Sequence, residues 1–241
     1  MAEQFYNDLY ENRFQVTNSS HHTLNNDRFR KTISLILKCK PHDILELGFE
    51  SQALSKAIMK HTGAKYVGVD VSDVVVNAAR DSGINAVRVD ASREALPFDP
   101  GSFDLILCSE VIEHLYDPDF AIDEFKRVLR PNGRIIITTP NLAAWYNRFL
   151  LLVGMQPIHT EVSTRRVIGR RLSILGQGGI PVGHIRLFTF QGLVDFIDLH
   201  GLTLVRVEGY ALEFVRKLQF LDRFFSNFPS FASGFIVLLQ K

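Results

Sequence analysis

The sequence predicts an α/β protein built on a doubly wound parallel sheet, and three observations predict it. Between Asp43 and Pro140, short apolar runs alternate with segments of helical periodicity. The runs are apolar almost throughout rather than at every second position, as strands covered on both faces are. Crossovers between parallel strands are right-handed, so successive helices wind onto both faces of such a sheet.

Each element has its own signal. Residues 5–20 carry Phe5, Tyr6, Leu9, Tyr10 and Phe14 at helix-like spacing, then the polar stretch TNSSHHTLNND. Phe29, Ile33, Ile36 and Leu37 predict a helix from Arg28 to Lys38. The predicted strands are DILEL (43–47), YVGVD (66–70), AVRV (86–89), FDLILCS (103–109) and RIIITTP (134–140). Helical patterns stand between them at 51–61, 74–81 and 119–130. After Pro140 the rhythm breaks into LAAWYNRFLLLVGM and the Arg- and Gly-rich TRRVIGRRLSILGQGGIPVG. A helix near 189–200 and strands LTLVRVEG (202–209) and GFIVLLQ (234–240) complete the pattern. The expectation is one domain over 1–241, with residues 1–40 as an N-terminal helical lid. Residues 141–183 are an insertion after the fifth strand, at the carboxyl ends where open α/β sheets bind ligands.

Composition narrows the function. The net charge is +1 with no basic block, so no nucleic-acid partner is expected. Cys39 and Cys108 are isolated, which suits a reducing compartment and argues against a disulfide scaffold or a zinc cluster. The start, MAEQFYNDLYENRF, has no basic residues leading into an apolar run, and no stretch is long enough to span a bilayer. A cytoplasmic protein is expected.

The ligand crevice of such a sheet lies where the strand order reverses. Gly48 ends the first strand and can make a tight turn. Asp70 ends the second, about 20 residues on, where an acid can hold a ribose diol. Asp90 ends the third and can accept from an exocyclic amine; Ser109 ends the fourth. Each aspartate alone reads equally as a helix cap or turn residue. Together, at successive strand ends, they point to a nucleoside-bearing ligand. Glu50 stands where a dinucleotide fold keeps its second glycine. Two like charges at 4 Å cost roughly 4 kcal/mol at an effective dielectric of 20, which disfavours a pyrophosphate there. S-adenosylmethionine carries a nucleoside and no phosphate.

From about Asp43 to Pro140 the chain resembles the class I S-adenosylmethionine-dependent methyltransferases. ILELG is similar to their first motif, with Glu46 as its acid and Gly48 as its first glycine. GVDVS is similar to the second, with Asp70 on the ribose and Val71 beside it, and VDAS places Asp90 and Ala91 at the adenine. LPFDPGSFDLILCSEVIEHLYDP and LRPNGRIIITTPN resemble the fourth- and fifth-strand signatures. The pairing of EVIEHL with TPN is most similar to the branch of quinone-biosynthesis O-methyltransferases and small-RNA ribose O-methyltransferases. The resemblance implies a seven-stranded, mostly parallel sheet with the last strand antiparallel, and S-adenosylmethionine as cofactor. The loop departs from the family, which usually carries glycine at the positions of Glu50 and Gln52. A non-catalytic member with an impaired cofactor loop is the alternative.

Methyl transfer from a sulfonium needs alignment and, for a hydroxyl acceptor, a base. His114, closing EVIEH, and His184, opening GHIRLFTFQGL, are the candidate bases; each reads also as a packing residue. Glu110, Glu113 and His114 fall on one helical face by spacing, and with His184 form a candidate divalent-metal set. In the insertion, Trp145, Tyr146, Phe149, Leu150, Leu152 and Met155 line an apolar pocket, rest at a membrane surface, or are core. Arg165, Arg166, Arg170 and Arg171 meet an anionic acceptor or are solvated. Tyr6, Tyr10 and Arg13 are candidates for the lid, and FFSNFPSFASGF for packing or a dimer contact. The expected reaction is methylation of an oxygen on a small, lipid- or glycan-like molecule.

Overall fold

In the computed structural model, residues 27–49, 52–171, 175–212 and 218–241 are described. α1 (Asp27–Cys39) leads into β1 (Asp43–Leu47), α2 (Gln52–Thr62), β2 (Lys65–Asp70), α3 (Asp73–Asp81) and β3 (Ala86–Arg88). β4 (Phe103–Ser109), a 3₁₀ turn (Ile112–His114), α4 (Pro118–Val128) and β5 (Leu129–Pro140) follow. The insertion carries α5 (Trp145–Leu152), and α6 (Phe190–Leu199), β6 (Thr203–Tyr210), α7 (Gln219–Phe225) and β7 (Gly234–Gln240) complete the chain.

The seven strands lie in the order β3-β2-β1-β4-β5-β7-β6. β7 pairs antiparallel with β5 and β6, and the other pairings are parallel. Order reverses between β1 and β4, so the crevice opens there. Both faces are covered, which explains the unbroken apolar runs. Ile44, Leu105, Leu107 and Ile136 pack with Phe29 and Ile36 of α1, Leu54 of α2 and Val76 of α3. Their neighbours Leu45, Leu47, Ile106 and Ile137 pack on the other face with Phe125 of α4 and Ile197 of α6. Each such side chain withdrawn from water contributes about 1.5–3 kcal/mol. Among the described residues no helix is long and apolar enough to cross a membrane.

Two boundaries differ from expectation for local reasons. The helix predicted to reach residue 130 stops at Val128, and β5 starts at Leu129 rather than 134. Pro131 disfavours a helical conformation at Arg130, and Asn132 takes φ +62° beside Gly133. The pairing consequently jumps from Phe103↔Leu129 to Leu105↔Arg134. EVIEH forms only a 3₁₀ turn, because Glu110 sits at φ +57°, outside the helical region.

α1 is packed into the core rather than laid over the crevice, and only its first turn reaches the site. Tyr6, Tyr10 and Arg13 lie outside the described residues. The insertion leaves and returns at one place, where Asn141 bridges to Phe188. Two buried asparagines organise it. Asn141 Nδ2 donates to the Ala232 carbonyl at 2.9 Å, and Asn147 Oδ1 accepts from Ile158 N at 2.7 Å. Arg170 is a loop staple, 5% exposed, donating to the Leu175 carbonyl at 2.9 Å. Of the four arginines read as meeting an anionic acceptor or as solvated, it is thus turned inward, while Arg165, Arg166 and Arg171 are exposed. In the aromatic C-terminal stretch, Phe225 stacks on Trp145 and on Phe231.

Candidate active site at the carboxyl ends of the strands

Register places the expected cofactor residues side by side. Leu47 lies opposite Val69 and Cys108, so Gly48, Asp70 and Ser109 follow as neighbours at the crevice. Gly48 has φ +65°, and its N–H donates to the Val69 carbonyl at 2.9 Å. Asp70 is 6% exposed, and its Oδ1 accepts from Ser72 N at 2.8 Å. Asp90 Oδ1 accepts from Ser92 N at 3.1 Å. Both aspartates therefore shape their own turns at the strand ends. Val71 and Ala91 follow them, both partly exposed. Glu46 is different: it is buried under the sheet, accepting from Ser55 Oγ at 3.0 Å and from the Tyr66 hydroxyl. Burial raises its pKa to about 7 despite those two donors. Glu50 lies outside the described residues, and Gln52 begins α2.

The EVIEH and TPN segments meet through hydroxyls. Thr138 Oγ1 donates to Glu110 Oε1 at 2.9 Å, and Thr139 Oγ1 to Glu113 Oε2 at 3.0 Å. Ser109 Oγ lies 3.0 Å from Thr138 Oγ1. The two glutamates then diverge. Glu110 also accepts from the Tyr210 hydroxyl at 3.0 Å and pairs with Arg28 of α1 at 3.1 Å. It is thus a clamp joining α1, β5 and β6, and does not join the expected metal set.

Glu113 turns the other way, toward both histidines. Its backbone carbonyl accepts from Ile185 N at 2.8 Å and Arg186 N at 2.9 Å, which docks the end of the insertion on the 3₁₀ turn. The His114 and His184 rings stack with centroids 4.7 Å apart. His114 Nδ1 lies 3.0 Å from the Gly183 carbonyl. A carbonyl only accepts, so Nδ1 carries the proton and the basic nitrogen of the neutral ring is Nε2. His184 is held neutral, its pKa pushed down to about 3 by burial and then by His114. It is a weak base, which leaves His114 as the better candidate.

One ligand atom from each of Glu113, His114 and His184 lies within 4.8 Å of the others. Two imidazoles and a carboxylate suit a first-row divalent cation, and the buried Glu113 Oε1 has no hydrogen-bond partner to compete for it. These three residues could hold such an ion. Burial raises the Glu113 pKa to about 7.

Three residues that matter here carried no sequence signal. Glu161 accepts from the N–H groups of Val182 at 2.8 Å, Gly183 at 2.7 Å and His184 at 3.1 Å, fixing the segment that presents His184. His159 packs edge-on against His184 with ring centroids 5.3 Å apart. Tyr210, fully buried, ties the far edge of the sheet to Glu110. All three act through contacts distant in sequence.

Residues 45–137 match a family model described as a methyltransferase domain. The chain is 32% identical over 120 residues to the ubiquinone biosynthesis O-methyltransferase of Xylella fastidiosa (strain 9a5c), covering 47% of each. It thus spans about half the length of that curated relative. Its fold is similar to a methyltransferase from Thermotoga maritima described as a possible histamine N-methyltransferase. There the TM-score is 0.60 at 20% identity, over 99% of this chain and 97% of that one. It is also similar to the cyclase SpnF, with a TM-score of 0.54 at 16% identity over 88% and 80%. These likenesses show the fold alone, a seven-stranded α/β sheet covered on both faces, and chemistry has to be argued from the site.

Proposed function

We propose that the chain transfers a methyl group from S-adenosylmethionine to an oxygen of a small-molecule acceptor. The carrying observation is the juxtaposition of Asp70 and Asp90, at the ends of adjacent strands beside the β1/β4 reversal, with His114. Asp70 and Asp90 suit the ribose diol and the adenine amine, and the Gly48 turn leaves the crevice floor without a side chain. Bound there, the cofactor supplies an electrophilic methyl group. His114 Nε2 takes the proton of the acceptor hydroxyl, the Gly183 carbonyl holding the ring in that tautomer. The relative's printed name supports oxygen as the acceptor atom. The tight cluster of Glu113, His114 and His184 supports a second role for His114 as a metal ligand. Equilibrium dialysis against zinc or manganese tests this, and a protein that retains neither ion keeps His114 as the base.

Calorimetric titration with S-adenosylmethionine and S-adenosylhomocysteine tests the main reading. Uptake is expected, and Asp70→Ala should weaken it by about tenfold or more, since a charge-assisted hydrogen bond contributes about 1.5–3 kcal/mol. Absence of uptake by the unaltered protein at millimolar concentration would sink the enzyme and leave a binding module.

A further inference from the structure

The insertion helps to line a partly open pocket of about 250 Å³, walled by Trp145, Phe149, Leu150, Met155 and Leu175 and by Leu212 beyond β6. An apolar cavity of about 150 Å³ already takes up benzene, so this one has room for a ring bearing several further carbons. Asp222 is the one charged side chain on its wall among the described residues. Its Oδ1 accepts from Trp145 Nε1 at 3.0 Å and from Ser233 Oγ, while the buried Oδ2 has no hydrogen-bond partner. An anionic ligand would meet that carboxyl, and among the described residues nothing cationic lines the cavity to offset it.

The cavity is linked through the chain to the candidate active site. Tyr210, at the end of β6, donates to Glu110, and Leu212 two residues on lines the cavity. Tyr210 packs on Gly234, where an added Cβ would lie 2.2 Å from its hydroxyl oxygen, so the ring is held in place. α5, which carries Trp145 and Leu150, follows directly from the end of β5, where Thr138 and Thr139 hold the two glutamates.

We propose that this cavity takes the uncharged apolar part of the methyl acceptor, a hydrocarbon tail or alkylated ring, while the reacting oxygen stays on the His114 side of Tyr210. The assignment rests on the methyl-transfer reading above. Trp145 is the chain's single tryptophan, so its emission reports on the cavity without any turnover. The test titrates the full chain with straight-chain alkanols from hexanol to dodecanol. Saturable emission changes are expected, with affinity rising about fourfold per methylene until the cavity is full and then levelling off. Leu175→Phe, which fills the space, should weaken the longest bound alkanol at least tenfold. S-adenosylhomocysteine uptake in the same samples confirms that the variant is folded. A linear, unsaturable response of the unaltered protein overturns the proposal, as does an alkanol affinity unmoved by Leu175→Phe. Alkylamines that bind more tightly than alkanols of equal length overturn its uncharged character. Cofactor uptake without alkanol binding sinks this inference alone. Alkanol saturation without cofactor uptake sinks the methyl-transfer reading and the acceptor assignment with it.

Discussion

Gly48 carries the turn on which the crevice depends, and nothing larger fits. Its φ of +65° costs an L-residue about 1–2 kcal/mol, and a Cβ there would lie 2.2 Å from Val111 Cγ2. Val111 immediately precedes the turn that bears Glu113 and His114. Gly48→Ala should therefore destabilise the fold by about 2 kcal/mol or more, read as a lower urea midpoint. An unchanged midpoint would show that the EVIEH segment moves aside at no cost. The next residue, Phe49, is a buried aromatic plug. It is 1% exposed and lies over Gly68, where a Cβ would meet its ring at 2.5 Å. The aromatic at Phe49 and the glycine within β2 are one feature, and only the pairing of β1 with β2 brings them together.

At the scale of elements, the segment that delivers His184 is held by a single carboxylate. Glu161 gathers three consecutive N–H groups, each a charge-assisted bond worth about 1.5–3 kcal/mol where little water competes. Glu161→Gln keeps the shape but replaces one acceptor oxygen by a donor facing N–H groups. On the methyl-transfer proposal, it should lower kcat/KM by roughly tenfold or more while cofactor affinity stays unchanged, since the proposed cofactor ligands Asp70 and Asp90 lie on other elements. A parallel loss of cofactor affinity would refute the division of labour between the loop and the strand ends. This loop also marks where legibility ended. Apolar periodicity placed the seven strands within a few residues, because burial on both faces leaves its pattern in the runs themselves. The strand-end residues Gly48, Asp70, Asp90 and Ser109 were readable for the same reason, their positions following from the strands. The contacts of EVIEH with Thr138 and Thr139 are 26 to 28 residues apart but join the ends of two strands that pair, β4 and β5. Glu161 had no such signal, for its partners are 21 to 23 residues away through irregular chain. The boundary of β5 was missed because Pro131 and Asn132 outweigh the helical spacing that runs through them.

For the molecule as a whole, two buried carboxyls, one on β1 and one in the 3₁₀ turn after β4, bias folding toward acid. Glu46 lies under β1 against Ser55 of α2 and Tyr66 of β2, and Glu113 lies beyond β4 against Thr139. Burial raises both to about 7 from an ordinary 4.5, the hydroxyl donors offsetting it only in part. The sign follows from proton counting. Below pH 4.5 the folded and unfolded chains both keep these protons, and the stabilising contribution of the neutral carboxyls is fully present. Between 4.5 and 7 the unfolded chain releases them first, so the native state binds more protons and stability falls with rising pH. Above 7 the loss is complete. Thermal melts from pH 5 to pH 8 should show this decline. Glu46→Gln removes one of the two contributors, because the amide oxygen still accepts from Ser55 and Tyr66 but cannot ionise. The variant should match the unaltered protein near pH 5 and exceed it near pH 8 by an amount on the order of 1–3 kcal/mol, with the Glu113 contribution left as residual slope. Curves that stay parallel across the range would mean that Glu46 ionises as easily in the folded chain as in water. The carboxyl would then have to reach solvent, and the dry contact of β1, β2 and α2 that sets the Gly48 turn would not exist as described.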